Sequence, residues 1–364
     1  MAGADLTGTL LKRVSRSFYL SLAVLPREIR STVGLAYLFA RAADTIADTR
    51  LLPRAQRLLH LAAFREEFDA PGPARLEALR QALLHARPQA APNDMVGATR
   101  ASQAPEAERA LLERLPDCFA AYRALPPADA ARVRRVLGIL VEGMREDLTR
   151  FPGEDASGLA ALETRAELDR YTYLVAGCVG EFWTEIHVAH RPRLRHWDPL
   201  KMAALGVRFG KGLQLTNVLR DIPRDLRQGR CYLPSRDLAL LGLEPRDLLD
   251  PAAGQALRPL LVELLNVALD HYEAGWQYTF AIPRGETRMR LACAWPLLIG
   301  LRTLDLLART PNWLDPAVVL KVPRLRVYGM LARSLGTVWS TRALGRQARQ
   351  LRARITRAPE GSAR

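Results

Sequence analysis

This sequence predicts an all-α fold, on three observations. Ala, Leu, Arg and Glu dominate while runs of β-branched residues are scarce, a composition that favours helix over strand. Apolar residues recur at intervals of three and four through most of the chain, and no segment alternates convincingly as a strand does. Prolines, among them Pro26, Pro53, Pro152, Pro234, Pro283 and Pro311, mostly stand between the periodic segments.

The elements follow in order. Leu35, Leu38, Phe39, Ala42 and Ile46 form a first stripe, and Val133, Leu137, Leu140, Val141, Met144 and Leu148 a second. Residues 86–106 (ARPQAAPNDMVGATRASQAPE), rich in Pro, Ala, Ser, Asn and Gly, read as a mobile surface loop between them. Leu213, Thr216, Val218 and Leu219 repeat less cleanly. Leu257, Leu260, Leu261, Leu264, Leu265 and Ala268 make a strong stripe. The apolar run Leu291 to Leu301, flanked by Arg290 and Arg302, falls short of the ~18 residues that span a bilayer and reads as a core helix.

At 364 residues, 49% hydrophobic and 25% charged, the chain has material for one large domain or two small ones. No composition shift divides it. The expectation is one domain over residues 1–340 and a basic C-terminal tail over 341–364, helical at first and frayed at APEGSAR. That tail is read either as a solvated basic helix or as a segment touching an anionic membrane.

The 53 Lys and Arg against 38 Asp and Glu give a net charge of +15, which suits polyanions: nucleic acid, anionic lipid or phosphorylated metabolites. Free use of Arg by the genome explains it equally. No recognised module or aromatic–basic interleaving supports a nucleic-acid partner. Cys118, Cys178, Cys231 and Cys293 are far apart, as free thiols in a reducing cytoplasm would be. Residues 1–9 carry no basic-then-apolar signal pattern, so a cytoplasmic location is expected.

Two clusters carry chemistry. In Arg41-Ala-Ala-Asp44-Thr-Ile-Ala-Asp48 two carboxylates four apart share one helix face, where like charges repel unless a cation lies between them. Mg²⁺ binds one or two carboxylates together with substrate phosphates, and the apolar neighbours Leu38, Phe39, Ala42, Ala43, Ile46 and Ala47 argue against a generic solvated face. A single such pair is common on surface helices. The second cluster, Gln214-Leu-Thr-Asn217-Val-Leu-Arg220-Asp221-Ile-Pro-Arg-Asp225, repeats the spacing and adds an amide and a guanidinium, suiting a cation and a diphosphate.

With these motifs in order, the sequence resembles the squalene and phytoene synthases over roughly residues 11–328. Ser15-Arg16-Ser17-Phe18 resembles the family's N-terminal phosphate-binding segment, and YLFARAADTIAD (37–48) its first aspartate motif. Glu142 to Asp147 resembles the helix preceding the cavity. Tyr171 to Glu181 is similar to the tyrosine-bearing helix, and Gly212 to Pro234 resembles the second aspartate motif with its flap.

The resemblance implies an isoprenoid synthase-type helical bundle around a central cavity. It implies Mg²⁺ on Asp44, Asp48, Asn217, Asp221 and Asp225, and diphosphate on Ser15, Ser17, Arg41 and Arg220. Gln214, Val175 and Gly180 fall among its substrate-binding positions, and Tyr171 and Tyr37 steer a proton or the departing diphosphate. The implied reaction condenses two farnesyl diphosphates head to head through presqualene diphosphate to squalene, with NADPH reduction. Phytoene or dehydrosqualene formation, or release of presqualene diphosphate, are the alternatives. The Asp44-Thr45 pair resembles the squalene-forming branch. Lys321-Val-Pro-Arg324 loosely resembles its NADPH-contacting segment, to which Arg16 is added. A monomer with peripheral contact at the inner membrane face is expected. A non-catalytic assembly protein of the same fold is a distant reading, against which the intact Asp residues argue.

Some positions depart from the family pattern. Ala47 and Arg224 stand where acidic residues are usual, and Pro223 interrupts the second motif, leaving the direction of Asp225 open. Small residues Ala176, Gly177 and Gly180 either let helices approach or leave room for prenyl chains. His187, His190, His196 and Glu185 lack the further cluster that would complete a transition-metal site. Ser17 has no evident His partner for nucleophilic catalysis. Trp183 and Trp295 read as core.

Overall fold

The computed structural model describes residues 6–15, 19–49, 51–86, 103–318 and 320–357. Most of the expected loop, Arg16, Ser17 and the last seven residues lie outside them. The all-α expectation holds: among the described residues the only strands are the two-residue β1 (Ala160–Ala161) and β2 (Arg230–Cys231), paired in parallel.

Contacts divide the chain into two compact units, Met1–Leu148 and Thr149–Arg364. The boundary falls in the last turn of a helix, with no linker, which is why composition does not reveal it.

The first unit contains α1 (Leu11–Ser15), α2 (Tyr19–Ala23), α3 (Arg27–Asp48), α4 (Arg54–Asp69), α5 (Pro73–Leu84), α6 (Gln103–Glu113) and α7 (Leu115–Arg123), with α8 (Pro127–Arg150) crossing into the boundary. Its core is aromatic. Phe39 of α3 meets Phe68 and Phe119 at 4.8 Å between ring centroids, with Phe64 and Tyr122 completing an edge-to-face cluster. This cluster fixes the buried side of α3 and so orients its acidic side. At the end of α3 the buried Arg57 donates to the Ala47 carbonyl at 2.9 Å, closing one of the helix's orphan acceptors.

The second unit contains α9 (Arg165–Thr172), α10 (Cys178–His190), α11 (Pro199–Arg227), α12 (Ser235–Leu240), α13 (Gly254–Ala281), α14 (Thr287–Arg309), α15 (Arg324–Thr337) and α16 (Thr341–Thr356). Thr164 and Glu167 start α9 with a capping box, and a π-helical turn at Tyr173–Gly177 joins α9 to α10. Asp198 caps α11 through the Leu200 and Lys201 amides, with Pro199 at the first helical position. The helix runs through Pro223 without a break.

The Leu257–Ala268 stripe of α13, most of α14, and Leu344, Ala348, Leu351 and Ile355 of α16 share one core. The basic C-terminal helix thus turns its apolar face into the protein, and Arg352 pairs with Asp270 and Glu273. α14 is long and apolar enough to cross a membrane by composition, but 78% of that window is buried in the protein. The Arg290 side chain bonds the Ile282 carbonyl and the Thr341 hydroxyl, both at 3.1 Å, and so ties α14 to the start of α16.

Candidate functional site

In the first unit, α3 turns Arg41, Asp44, Thr45 and Asp48 toward one cleft of about 280 Å³. Leu83, Leu84 and Leu112 supply its apolar wall, and Glu108 and Arg109 of α6 add charge. Arg41 donates to Asp44 and to Glu108, each at 3.0 Å. Burial alone would lower the Arg41 pKa, but Asp44, Tyr37 and Glu108 outweigh it and raise it. Asp44 is pushed up to about 7, first by loss of water and then by the Asp48 charge, with Arg41 opposing. A buried Asp44 pushed toward protonation beside Asp48 is a group that a divalent cation would relieve, and the donor set suits Mg²⁺ completed by phosphate oxygens.

Ser15 is buried and donates its hydroxyl to the Leu11 carbonyl of its own helix. Glu108 and Arg57 escape a sequence reading, because only the packing of α6 and α4 brings them to the Asp pair.

In the second unit, Gln214 sits between two expected partners. Its amide donates to the Tyr171 hydroxyl at 3.2 Å, and its carbonyl oxygen accepts from Asn217 at 3.3 Å. Tyr171 stacks on Tyr232, 4.4 Å between centroids. Tyr232 also meets Phe151 edge-on at 5.1 Å. The β1–β2 pairing holds Tyr232 there. Gly229 makes the preceding turn at φ +80, where a Cβ would lie 2.8 Å from the Asp155 carbonyl.

Arg220 grips Asp221 through two hydrogen bonds of 2.8 and 2.6 Å. That bond, with the charges of Asp221 and Asp225, raises the Arg220 pKa against burial. Asp225 lies beside Arg230 and Tyr232 despite Pro223 upstream. Tyr232 falls within the Gly212–Pro234 motif, yet only its stacking marks it as part of the site.

The glycines of the tyrosine helix serve packing. A Cβ on Gly180 would stand 2.0 Å from the Gly206 carbonyl oxygen, and one on Gly210 2.3 Å from that of Ala176. α10 and α11 therefore cross backbone to backbone. Val175 lies half-buried in the π turn. Lys321 and Arg324 are exposed at the start of α15. His187 is buried with Nδ1 2.7 Å from the Trp183 carbonyl, and among the described residues no group of three or more His, Cys, Asp or Glu is placed to hold a metal. Each Asp motif thus offers at most part of a coordination sphere.

The squalene/phytoene synthase family model matches residues 11–326. The chain belongs to that family. Similar relatives include a bifunctional lycopene cyclase/phytoene synthase of Arthroderma gypseum (29% identity over 71% of this chain and 39% of the relative). A squalene synthase of Yarrowia lipolytica is 26% identical over 86% and 63% of the two chains. A presqualene diphosphate synthase of Rhodopseudomonas palustris is 29% identical over 71% and 72%.

The chain thus spans less than two thirds of the first two relatives. Family likeness extends to solved folds: a TcSQS structure with the ligand E5700 superposes at TM-score 0.73, 23% identity, over 99% of this chain and 93% of that one. Squalene synthase HpnC of Alicyclobacillus acidocaldarius gives 0.54 at 20% identity, over 82% and 90%.

Proposed function

We propose that the protein is a Mg²⁺-dependent prenyltransferase that condenses two farnesyl diphosphates head to head, through presqualene diphosphate, to squalene. The observation that carries this is the family match over residues 11–326, with an Asp pair present in both aspartate motifs. Asp44 and Asp48 in one unit, and Asn217, Asp221 and Asp225 in the other, are the oxygen donors for Mg²⁺. Bound there with substrate, the metal supplies Lewis-acid assistance to departure of diphosphate.

The chain's own groups do the rest. Arg41 and Arg220 are already held by carboxylates, Asp44 and Glu108 for the first and Asp221 for the second. With a metal on those carboxylates, each guanidinium would be available to bind phosphate. Tyr171, bonded by Gln214 and stacked on Tyr232, is the group assigned to steering a proton or a diphosphate oxygen. Apolar helix faces around the acidic groups keep water from carbocations. Lys321 and Arg324, exposed cations three apart, match in charge the phosphates of NADPH, the proposed hydride source, with Arg16 joining them. Reversible contact with an anionic bilayer completes the reading, since prenyl substrates partition into lipid.

A second reading, release of presqualene diphosphate, draws on the Rhodopseudomonas relative, of which the chain covers 72%. Phytoene or dehydrosqualene formation is the third. Incubation with farnesyl diphosphate and Mg²⁺, with and without NADPH, followed by extraction and mass spectrometry, separates them. Squalene only with NADPH supports the proposal. Presqualene diphosphate that accumulates in both arms supports the second reading. Dehydrosqualene without NADPH, or phytoene from geranylgeranyl diphosphate, supports the third. No product from either substrate overturns all three.

A further inference from the structure

The C-terminal basic helix cannot offer an apolar face to a membrane, because Leu344, Ala348, Leu351 and Ile355 are buried in the unit's own core. The preceding helix can. α15 packs inward through Met330, Leu331 and Ser334, and the Trp295 indole donates to the Ser334 hydroxyl at 2.8 Å. Another face stays open to solvent. Leu325 is 85% exposed, Tyr328 60%, Leu335 49% and Trp339, just past the helix end, 58%.

With the exposed Ala332 these residues recur at three, four, three and four, one continuous stripe along a helix. Most large apolar residues among those described are buried, so three on one helix with a fourth just past its end are an organised patch rather than scatter. The chain segment that carries it has one sign of charge. From Lys321 to Arg357 the chain has Lys321 and nine arginines and no Asp or Glu.

We propose that this stripe is a membrane-docking face, on which α15 lies in the plane of an anionic bilayer. Leu325 and Leu335 enter the acyl boundary, Tyr328 and Trp339 sit at headgroup level, and the exposed Arg326 and Arg333 meet lipid phosphates. The charge decides the occupant. A bilayer rich in acidic headgroups complements this basic segment, which has no acidic residue of its own, whereas a second copy of the same face would set arginines against arginines.

The inference gives a location to the membrane contact in the proposed function, and its test needs no turnover. The full chain is floated with vesicles of equimolar phosphatidylglycerol and phosphatidylcholine, and with phosphatidylcholine alone. The parent is compared with a variant carrying Leu325→Ser, Tyr328→Ser, Leu335→Ser and Trp339→Ser, whose thermal melt is checked first. Expected are salt-sensitive binding to the anionic vesicles, loss of at least roughly tenfold in partition for the variant, and quenching by brominated lipid that disappears in Trp339→Phe.

Equal binding by parent and variant, or none by either, overturns the proposal. So does a dimer in lipid-free sedimentation that the variant dissolves, which would assign the stripe to self-association. Squalene formation without vesicle binding sinks this inference alone. Vesicle binding without any prenyltransferase activity sinks only the proposed function.

Discussion

His187 makes the protein acid-sensitive in a way that a single substitution removes. Its ring is fully buried, and burial lowers its pKa from the ordinary 6.5 to about 4; Arg191 and His190 push the same way, and the bond to the Trp183 carbonyl opposes them. The folded state therefore holds a neutral imidazole while the unfolded chain takes up a proton below 6.5. Protons bind the unfolded state more readily between these limits, so stability falls as pH drops from 6.5 to 4 and changes no further below that. At about 1.4 kcal/mol per pH unit the full loss is about 3 kcal/mol, with about 2 kcal/mol of it reached by pH 5.

Urea unfolding of the parent and of His187→Gln, which cannot titrate, isolates this contribution from other groups. The stability difference between the two proteins narrows by about 2 kcal/mol from pH 7 to pH 5. A difference that stays constant over that range would show that the ring titrates alike in both states, and the argument from burial would fail.

Three further outcomes are expected. Gly180→Ala, whose Cβ would meet the Gly206 carbonyl oxygen at 2.0 Å, destabilises by about 3 kcal/mol in denaturant melts, whereas Gly329→Ala, with nothing near its Cβ, stabilises its helix by up to about 1 kcal/mol. On the proposed function, Asp44→Asn cuts turnover of farnesyl diphosphate by at least roughly a hundredfold, because several kcal/mol of metal assistance would be lost, while circular dichroism stays that of the parent. Arg57→Met leaves the Ala47 carbonyl without its donor at a cost of about 1–3 kcal/mol, and on the proposed function, with Asp48 the next residue along, it raises the Mg²⁺ concentration needed for half-maximal turnover.

Much of this was legible in residue order. The stripe through Phe39 and Ala42 foretold a helix with one buried side, and the Asp spacing foretold that Asp44 and Asp48 share one helix face; the structure lines one cleft with both. Four-residue periodicity is a local property, so sequence reads it well. What it could not read depends on packing between distant segments. Glu108 reaches Arg41 only because α6 returns beside α3, and Tyr232 reaches Tyr171 only because β2 pairs with β1. Gly180 had two explanations in sequence, room for prenyl chains or a close crossing, and the nearness of the Gly206 carbonyl accounts for it by the crossing. The alternation of arginine and aliphatic residues in α16 hid a docked core helix, because an amphipathic helix reads the same whether its apolar side meets lipid or protein.

The π turn at Tyr173–Gly177 sets the angular phase of everything after it. An α-helix advances about 100° per residue, and the wider turn inserts an offset between α9, which presents Tyr171 to Gln214, and α10, which must bring Gly180 against Gly206. The two demands are met on one continuous rod by slipping its halves out of step. Removing a single residue from the turn would restore a regular helix and aim one of these contacts the wrong way, so the length of this segment is as tightly constrained as any side chain it carries.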